Sequence, residues 1–383
     1  MAENESLVPL RKLYGAVMNL NVRVATLADM PALLALEQQC FALDRLNQRN
    51  FHWMLARANA CLMVAESDQR LLGYALLLFH RGTSMARLYS LAVAPDSRGL
   101  GLGQRLLSEA EAVAVAHACA YLRLEVRLDN PAAIALYEAL GYRRFAEVPD
   151  YYEDHSGALR YEKCIAGQDA GMTGVAPYYA QTTEFTCGAA CLLMAMAALQ
   201  PQRPMAQGEE IQIWREATTV FMTAGHGGCS PQGLALAALR RGFGARLQLS
   251  RPGSLFLDGV RSSNKKAVMQ LVEDGFTQAL AERGVEQTYG APLDIQAMLA
   301  AGLKPVVLIS SYRLTRLKAP HWVMVTGCDQ TFVYLHDPDV DHSRHRRPID
   351  CQHVPVTHRE FQRMSAFGRQ RARAAVLLYA LAS

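Results

Sequence analysis

Residues 88–107 constrain the fold of this chain more than any other stretch. Residues 88–94 are apolar enough for a buried strand, and from Gln104 onward apolar residues recur at helical spacing. Between these two parts, residues 98–103 read Arg-Gly-Leu-Gly-Leu-Gly. Glycine lets a backbone approach a ligand closely, and the first turn of a helix presents N–H groups to an anion. The pattern therefore predicts a strand, a phosphate-binding turn and a helix.

Two familiar glycine-rich loops do not fit this stretch. A dinucleotide-binding fingerprint counted from Gly101 needs a glycine at the position of Leu106. A Walker loop needs Lys followed by Ser or Thr after Gly103, and Gln104 stands there instead. What remains is a turn that holds a pyrophosphate with backbone amides and without a metal.

Residues 21–165 resemble a GNAT-family acetyltransferase, most closely the type that acetylates protein N-termini. The acetyl-CoA loop of that family, Arg/Gln-x-x-Gly-x-Gly/Ala, is matched by Arg98, Gly101 and Gly103. A second family segment is matched by residues 124–142. The resemblance implies a mixed-sheet α/β (α+β) fold, acetyl-CoA as the cofactor and a peptide or protein N-terminus as the acceptor. The residues that it implies in cofactor binding are Leu91, Ala92, Val93, Arg98, Gly99, Leu100, Gly101, Leu102, Gly103, Gln104 and Asn130.

Within that resemblance, residues 91–93 would bind the pantetheine arm through their backbone. Asn130 either touches the cofactor or only caps the helix that Pro131 begins. Tyr137, on that helix, matches the tyrosine that protonates the coenzyme A sulfur in GNAT enzymes. The alternative for Tyr137 is an aromatic residue of the core.

Glu125 is the candidate base for the acceptor amine. It lies in the strand predicted over residues 121–127, and a carboxylate in an otherwise apolar strand is poorly solvated and hence a stronger base. The resembled N-terminal acetyltransferases use a Glu in this segment to deprotonate the amine. The alternative is an exposed Glu paired with Arg123 or Arg127.

Residues 178–199 form the second informative segment. Cys187 stands at the start of an Ala- and Leu-rich helix, where the helix N-terminus favours the reactive thiolate. Gln181, six residues earlier, can donate its side-chain amide to an oxyanion. Cys191, one turn further along, is expected to be an ordinary buried residue.

Two predicted strands downstream supply a base and an acid. If residues 321–338 form a hairpin centred on Asp329, His321 lies directly opposite Asp337, at a cross-strand distance of roughly 5 Å. Cys187, His321 and Asp337 then form a nucleophile, a base and an orienting acid. Asp339 is the nearest rival acid. His336 is expected to point to the opposite face.

The pattern Gln-x5-Cys-Gly-x-x-Cys, His-Trp-Val and Asp-Pro resembles the peptidase C39 group of papain-like cysteine peptidases. The resemblance covers roughly residues 175–340 and implies a papain-like fold and thiol hydrolysis of a peptide or amide bond. Thr186 departs from the pattern, because exporter-type members carry Asp there. Residues 250–290 are an apparent insertion, and the transporter's other parts do not occur in this sequence. These departures put the exporters' leader-peptide specificity in doubt.

Length and composition agree with two soluble domains: a GNAT domain at 21–165, a linker at 166–176 and a C39-like domain at 177–383. A net charge of +4 does not argue for nucleic acid, and the arginine-rich tail from Asp341, which includes Arg346, is interpreted as a solvated face. Nine scattered cysteines suit a reducing cytoplasm. Neither a signal peptide nor a membrane span is expected, and no metal site is expected from the His226/Cys229 or Cys351/His353 pairs.

Together these patterns predict a bifunctional cytoplasmic enzyme that transfers acetyl groups and hydrolyses a peptide or amide bond. In one alternative, the C39-like domain is a non-catalytic module that binds a peptide for the acetyltransferase. In another, the front half senses acetyl-CoA and regulates the hydrolase. The resemblance also suggests a peptide-tailoring pathway that includes an ATP-grasp ligase.

Overall fold

The computed structural model describes residues 20–56, 59–166, 176–221, 226–257, 260–315, 319–341, 346–368 and 370–381. These form two compact units. The first lies within residues 1–79 and 85–168, and the second comprises residues 169–383 together with the short segment 80–84. The predicted linker, residues 166–176, lies outside the described residues except for its first and last positions.

The first unit is built on a seven-stranded mixed sheet. Its strands are β1 (Asn21–Val24), β2 (Ala60–Ser67), β3 (Arg70–Phe79), β4 (Met85–Val93), β5 (Tyr121–Arg127), β6 (Arg143–Val148) and β7 (Ala158–Cys164). Its helices are α1 (Met30–Cys40), α2 (Gln48–Ala56), α3 (Leu102–Ala116) and α4 (Pro131–Ala139). The strand order is β1-β2-β3-β4-β5-β7-β6, and every neighbouring pair is antiparallel except β4 and β5. Helices α1 and α2 cover one face of this sheet, and α3 and α4 cover the other.

Two irregularities of β4 shape the middle of this sheet. A β-bulge leaves Tyr89 as an extra residue between Leu88 and Ser90. The alternation of side chains between the two faces of the sheet is therefore shifted by one residue after the bulge. The parallel pairing with β5 ends at Leu88, although β4 continues to Val93. The two strands therefore diverge, and residues 90–93 have one edge that β5 does not cover.

The second unit has its own seven-stranded sheet. Its strands are β8 (Phe243–Leu249), β9 (Gln287–Tyr289), β10 (Lys304–Ser310), β11 (Pro320–Cys328), β12 (Phe332–His336), β13 (Val354–Thr357) and β14 (Ala374–Ala380). Its helices are α5 (Cys187–Leu199), α6 (Gln207–Ala217), α7 (Pro231–Arg240), α8 (Ser263–Glu282), α9 (Ile295–Ala300), α10 (Tyr312–Thr315) and α11 (His358–Met364). The order is β13-β12-β11-β10-β14-β8-β9, and only β8 and β9 pair in parallel. The predicted α/β (α+β) class with a mixed sheet is confirmed.

Helix α5 is the buried centre of the second unit. Every residue from Cys187 to Ala197 is buried. The helix consists of Ala, Leu and Met with one Gly and two Cys, and it has no β-branched residue, so its sequence favours the helical state. It packs against β10, β11 and β14 in a single apolar core. This packing fixes the position of Cys187 at the start of the helix.

Among the helices of the described residues, none has both the length and the apolar character needed to cross a bilayer.

Candidate active sites

The predicted phosphate-binding turn adopts a conformation that requires its glycines. Gly99 and Gly101 have φ angles of 77° and 75°, in the left-handed region that favours glycine. Helix α3 begins at Leu102, with Gly101 as its N-cap. Because glycine has no side chain to cap the helix, the first backbone N–H groups of α3 remain available to an anion.

The start of α3 lies beside the end of β4 and beside α4. A Cβ atom placed on Gly103 would come within 3.2 Å of Leu136 Cδ2 and 4.0 Å of Val93 Cγ2. The Arg98 Nε atom donates to the carbonyl of Val93 at 3.3 Å, which ties the turn to the end of the strand. The turn, the uncovered edge of β4 and the helix that carries Tyr137 therefore meet at one place. This arrangement fits a cofactor with a pyrophosphate and an extended arm.

Tyr137 is buried and packs edge-on against Tyr142, with ring centroids 5.8 Å apart. Burial raises the pKa of Tyr137 well above its usual range, so the phenol stays protonated across the neutral range. Asn130 caps α4, because its Oδ1 accepts from the backbone N–H of Ala133 at 3.1 Å. Capping is therefore the role of Asn130 that the contacts support.

Glu125 has surroundings that differ from those expected. Its carboxylate is buried rather than exposed, while Arg123 pairs with Glu162 and Arg127 pairs with Asp129. Arg160 Nε donates to Oε1 at 3.0 Å, while Arg87 and the Tyr151 hydroxyl both donate to Oε2. The sequence expectation concerned the strand of Glu125 itself; the neighbouring strands β4 and β7 add two arginines to this face.

A second buried carboxylate on the same face was missed by sequence analysis. Glu37 of α1 accepts from the Tyr74 hydroxyl and from the Leu46 backbone N–H, the latter at 2.9 Å. The Tyr74 hydroxyl also lies 2.6 Å from Ser90 Oγ, just after the bulge in β4. Burial raises the pKa of Glu37, although its hydrogen bonds oppose the shift. Glu37 lies within an apolar helix, and no spacing in the sequence linked it to Tyr74.

In the second unit, the predicted base and acid are in contact. His321 Nε2 lies 2.7 Å from Asp337 Oδ1, and both side chains are buried. Nδ1 is then the ring nitrogen left to exchange a proton with Cys187. Burial alone would lower the pKa of His321, but the Asp337 carboxylate and a hydrogen bond with the Cys187 sulfur raise it well above its usual range. The three groups are arranged for nucleophilic thiol chemistry.

The hairpin that brings His321 and Asp337 together has a different register from the one expected. Met324 pairs with His336, so Val323 rather than His321 would stand opposite Asp337. The turn is centred beyond Asp329, whose side chain accepts from the N–H groups of Thr331 and Phe332. His321 and Asp337 still share one face because the register differs by two residues, and they meet diagonally. His336 bonds instead to the carbonyl of Ala176, at 2.7 Å.

Gln181 is held next to the acid. Its backbone N–H donates to the carbonyl of Pro338 at 2.9 Å, and the Tyr178 hydroxyl donates to the carbonyl of Asp337 at 2.9 Å. The side-chain Oε1 of Gln181 is buried and has no hydrogen-bond partner among the described residues. A buried carboxamide oxygen without a partner among the described residues is consistent with a side chain that meets a hydrogen-bond donor of a ligand.

Arg346 corrects the interpretation of the arginine-rich tail. Its side chain is 12% exposed and donates to Asp337 Oδ2 through Nη2 and to the carbonyl of Asp339 through Nη1, the latter at 2.9 Å. Burial raises the pKa of Asp337, but Arg346 and His321 outweigh it and hold that pKa well below its usual range. Nothing in the sequence pattern indicated this contact, because Arg346 lies in an irregular segment nine residues after the acid. Arg344 and Arg369 of the tail lie outside the described residues.

The other cysteines of this region have structural contacts. The Cys191 thiol bonds to the carbonyl of Trp322 at 3.3 Å, and burial raises the pKa of both Cys191 and Cys229 well above the usual range. Cys351 Sγ lies 3.4 Å from the carbonyl of Asp339, and His353 Nδ1 lies 2.8 Å from Thr326 Oγ1. Of the four residues weighed as metal ligands, Cys351 and His353 thus each have a hydrogen-bond partner within the unit.

Residues 29–142 match a family model described as the Acetyltransferase (GNAT) family, so the first unit is a GNAT acetyltransferase domain. Residues 176–379 match a model described as the Peptidase_C39 like family. Because that match covers more than half of the chain, the chain belongs to the Peptidase_C39 like family. Both resemblances noted in the sequence are confirmed.

Two of the following three similar proteins carry acetyltransferase names. An uncharacterized N-acetyltransferase of Methanocaldococcus jannaschii is 41% identical over 26% of this chain and 63% of its own length. An uncharacterized Mycobacterium leprae protein is 37% identical over 36% of this chain, and the chain spans only 38% of that relative. An acetyltransferase of Pectobacterium atrosepticum is 31% identical over 32% of this chain and 87% of its own length.

Two solved structures are also similar. The ribosomal-protein-S18-alanine N-acetyltransferase of Escherichia coli is 26% identical, with a TM-score of 0.36, over 40% of this chain and 97% of that one. The ribosomal-protein-alanine N-acetyltransferase of Brucella melitensis is 27% identical, with a TM-score of 0.34, over 38% of this chain and 99% of that one.

Proposed function

We propose that this chain is a bifunctional enzyme that joins acetyl transfer from acetyl-CoA to thiol hydrolysis of a peptide or amide bond. The acetyl acceptor that we infer is an amine, in particular a peptide or protein N-terminus. The hydrogen bond between His321 and Asp337 beside Cys187 carries the second half of the proposal. A shared peptide would join the two halves, because hydrolysis exposes an amine that acetylation can cap.

In the first unit, acetyl-CoA supplies an activated thioester. The N–H groups at the start of α3 and the glycine turn would bind its pyrophosphate, and the uncovered backbone of residues 91–93 would orient its arm. The phenol of Tyr137 donates a proton to the departing thiolate. The raised pKa of Tyr137 keeps that proton in place until it is needed.

Glu125 is the proposed base for the acceptor amine, through its carboxylate at the face shared with Tyr151. Arg87, Arg160 and Tyr151 already donate to its two oxygens, so direct deprotonation of the amine would compete with these bonds. Transfer through a water or through the Tyr151 hydroxyl fits this arrangement better than direct contact. The three donors also hold the carboxylate in one orientation.

In the second unit, the Cys187 thiolate attacks the carbonyl carbon of the scissile bond, and the Gln181 amide stabilises the oxyanion. The His321 imidazolium then gives its proton to the leaving amine. Water attacks the resulting thioester while His321 accepts a proton from it; the C–S bond then breaks, which releases the acid and restores the thiolate–imidazolium pair. Asp337 orients His321 throughout.

The first experiment measures alkylation of Cys187 by iodoacetamide across pH, followed by peptide mass spectrometry. Labelling well below pH ~8.5, where an ordinary thiol is half ionised, is expected in the wild type and should be lost in His321→Ala. Cys191→Ala is the matched control, since Cys191 is one turn further along α5 and has only a structural contact.

Slow labelling that ignores the His321 substitution would contradict the proposal of hydrolysis. The second unit would then be a peptide-binding module of the acetyltransferase. We also infer a reducing, cytoplasmic setting, which all nine free cysteines support. A pathway that includes an ATP-grasp ligase remains a proposal based on the sequence resemblance alone.

A further inference from the structure

Among the described residues, four groups donate hydrogen bonds to Asp337, and of these four only Arg346 carries a permanent positive charge. His321 Nε2 and the Asp339 backbone N–H reach Oδ1, the latter at 3.0 Å, while Arg346 reaches Oδ2. The Tyr178 hydroxyl reaches the backbone carbonyl of Asp337. Among these groups, only Arg346 keeps its charge at every pH at which the protein is folded.

Arg346 is also fixed from its other side. Its Nη1 donates to the carbonyl of Asp339, and its backbone N–H donates to the carbonyl of Asp341 at 2.9 Å. The guanidinium therefore bridges the acid and the loop that follows the acid. A side chain that is 12% exposed and shared between two partners has little freedom to move.

The charges of the site alternate from one end to the other. In the reactive state, the thiolate of Cys187 is followed by the imidazolium of His321, the carboxylate of Asp337 and the guanidinium of Arg346. These four charges sum to zero. Without Arg346, a buried site would hold a net negative charge, which is costly in a low-dielectric environment.

We propose that Arg346 is a positioning residue that sustains the thiolate–imidazolium pair by acting on Asp337. This inference rests on the proposed thiol hydrolysis. Arg346 touches neither Cys187 nor a substrate in this account, and it works by keeping Asp337 ionised and oriented toward His321. Without the guanidinium, Asp337 either becomes protonated and no longer stabilises the imidazolium, or remains an uncompensated anion near the sulfur. Either outcome disfavours the thiolate.

Other titratable groups surround the acid. The acidic and thiol groups near Asp337 and Arg346 are Asp339, Asp341, Cys351, Tyr178 and Cys191. Burial raises the pKa of Cys351, Tyr178 and Cys191, so these three groups stay neutral in the neutral pH range. Burial also raises the pKa of Asp339, which therefore takes up a proton more readily than Asp337 does as pH falls. None of them supplies a positive charge that replaces Arg346.

The test compares the pH profile of Cys187 alkylation in wild type, Arg346→Met, Arg346→Gln and Arg346→Lys. The neutral variants should move the alkylation midpoint upward by about one pH unit and slow labelling at pH 6 about tenfold. Arg346→Lys, which retains the charge, should recover much of the loss. Arg313→Met is the matched control, because it removes an exposed ion pair with Glu360 in the same unit.

Asp337→Asn provides a second measurement. If Arg346 acts through Asp337, adding Arg346→Met to Asp337→Asn should change the profile no further. An unchanged midpoint in soluble, folded Arg346→Met and Arg346→Gln would overturn the inference and leave the proposed hydrolysis intact. If Cys187 of the wild type is not activated, both the inference about Arg346 and the proposed hydrolysis are overturned. The two failures can therefore be distinguished. If Arg346→Met does not fold, Arg346→Gln and Arg346→Lys decide.

Discussion

Tyr137 illustrates how its surroundings prepare a single side chain for proton transfer. Its ring is enclosed by Tyr142 and Tyr161, and burial holds its pKa well above the usual range. A phenol in such a site keeps its proton at about pH 8, where an N-terminal amine becomes neutral. It is therefore suited to the role of acid and poorly suited to that of base.

Tyr137→Phe should lower kcat for acetyl transfer by about 10²-fold, because the departing thiolate loses its proton donor. The KM for acetyl-CoA should change little, since the ring and its packing remain. We would measure coenzyme A release with synthetic peptides that differ in their N-terminal residue.

The matched control for this substitution is Tyr142→Phe, which removes a hydroxyl that bonds to Glu111 at 3.0 Å. This variant should keep kcat. In the wild type, no loss of rate from ionisation of Tyr137 is expected as pH rises through the neutral range. Equal effects of the two substitutions would assign Tyr137 to the core rather than to proton transfer.

At the scale of elements, the nucleophile depends on a close approach of α5 to its neighbours. A Cβ atom on Gly188 would lie 2.9 Å from Cys229 Cβ and 2.9 Å from Trp322 Cδ1. The Trp322 indole is itself held by the carbonyl of Cys229, at 3.0 Å. The strand that carries His321 and the segment before α7 thus meet at the residue that follows Cys187.

Gly188→Ala should cost roughly 1–3 kcal/mol of stability, because Cys229 Cβ moves only with its backbone and the Trp322 ring is buried and held by its hydrogen bond. It should also slow Cys187 alkylation, since the helix start is displaced from His321. Urea denaturation and the alkylation rate would check the two effects.

Gly208→Ala is the matched control, as Gly208 is the second residue of α6 and has open space around it. That substitution should be neutral or stabilising, by up to about 1 kcal/mol, because Ala favours the helix. A Gly188→Ala protein as stable and as reactive as the control would refute the packing argument.

The elements around both sites were predictable to different degrees. The strand, turn and helix at residues 88–107 follow from local spacing and glycine positions. The pairing of His321 with Asp337 followed from a hairpin whose assumed register was off by two. His321 and Asp337 are still in contact because side chains along a strand alternate between faces with a period of two, so a shift of two residues keeps both on one face. The local sequence pattern thus identifies which side chains share a face of the sheet. The hydrogen bonds that Asp329 accepts in the turn set which residues lie opposite one another.

The missed contacts have one property in common. Arg346, Arg87 and Arg160 reach their carboxylates from segments that are distant in sequence or irregular, and no periodicity marks such partners. A charged residue read alone is most often a solvated one. Only the tertiary arrangement shows that these arginines neutralise buried acids.

At the scale of the whole molecule, buried carboxylates decide how stability varies with pH. Glu273 lies on α8, within the apparent insertion, and its Oε2 accepts from Ser230 Oγ at 3.2 Å. Its Oε1 is buried without a hydrogen-bond partner among the described residues. Burial raises the pKa of Glu273 to about 7. Between pH 4.5 and about 7, Glu273 of the folded protein therefore holds a proton that the unfolded chain has already released.

Because the folded state binds more protons, Glu273 should make the protein less stable as pH rises from about 4.5 to about 7, the unfolded and folded values of its pKa. Glu273→Gln should remove this dependence and stabilise the protein at pH 8 by on the order of 1–3 kcal/mol. Denaturation of both proteins at pH 4 and pH 8 would check it.

The matched control is Glu282→Gln, an exposed acid at the end of the same helix. It should leave the pH dependence of unfolding unchanged. A Glu273→Gln protein whose stability falls with pH as steeply as the wild type would show that Glu273 is charged in the folded state.

The extra residue at Tyr89 reverses which side chains of β4, odd-numbered or even-numbered, point to each face of the sheet. Before the bulge, even-numbered side chains such as Leu88 join α3, and after it even-numbered ones such as Ala92 join α1 and α2. Deleting one residue there would therefore turn the side chains of residues 90–93 to the opposite face of the sheet. The composition would hardly change, yet the edge expected to meet the cofactor would present the wrong atoms. In this strand, the count of residues carries as much information as their identity.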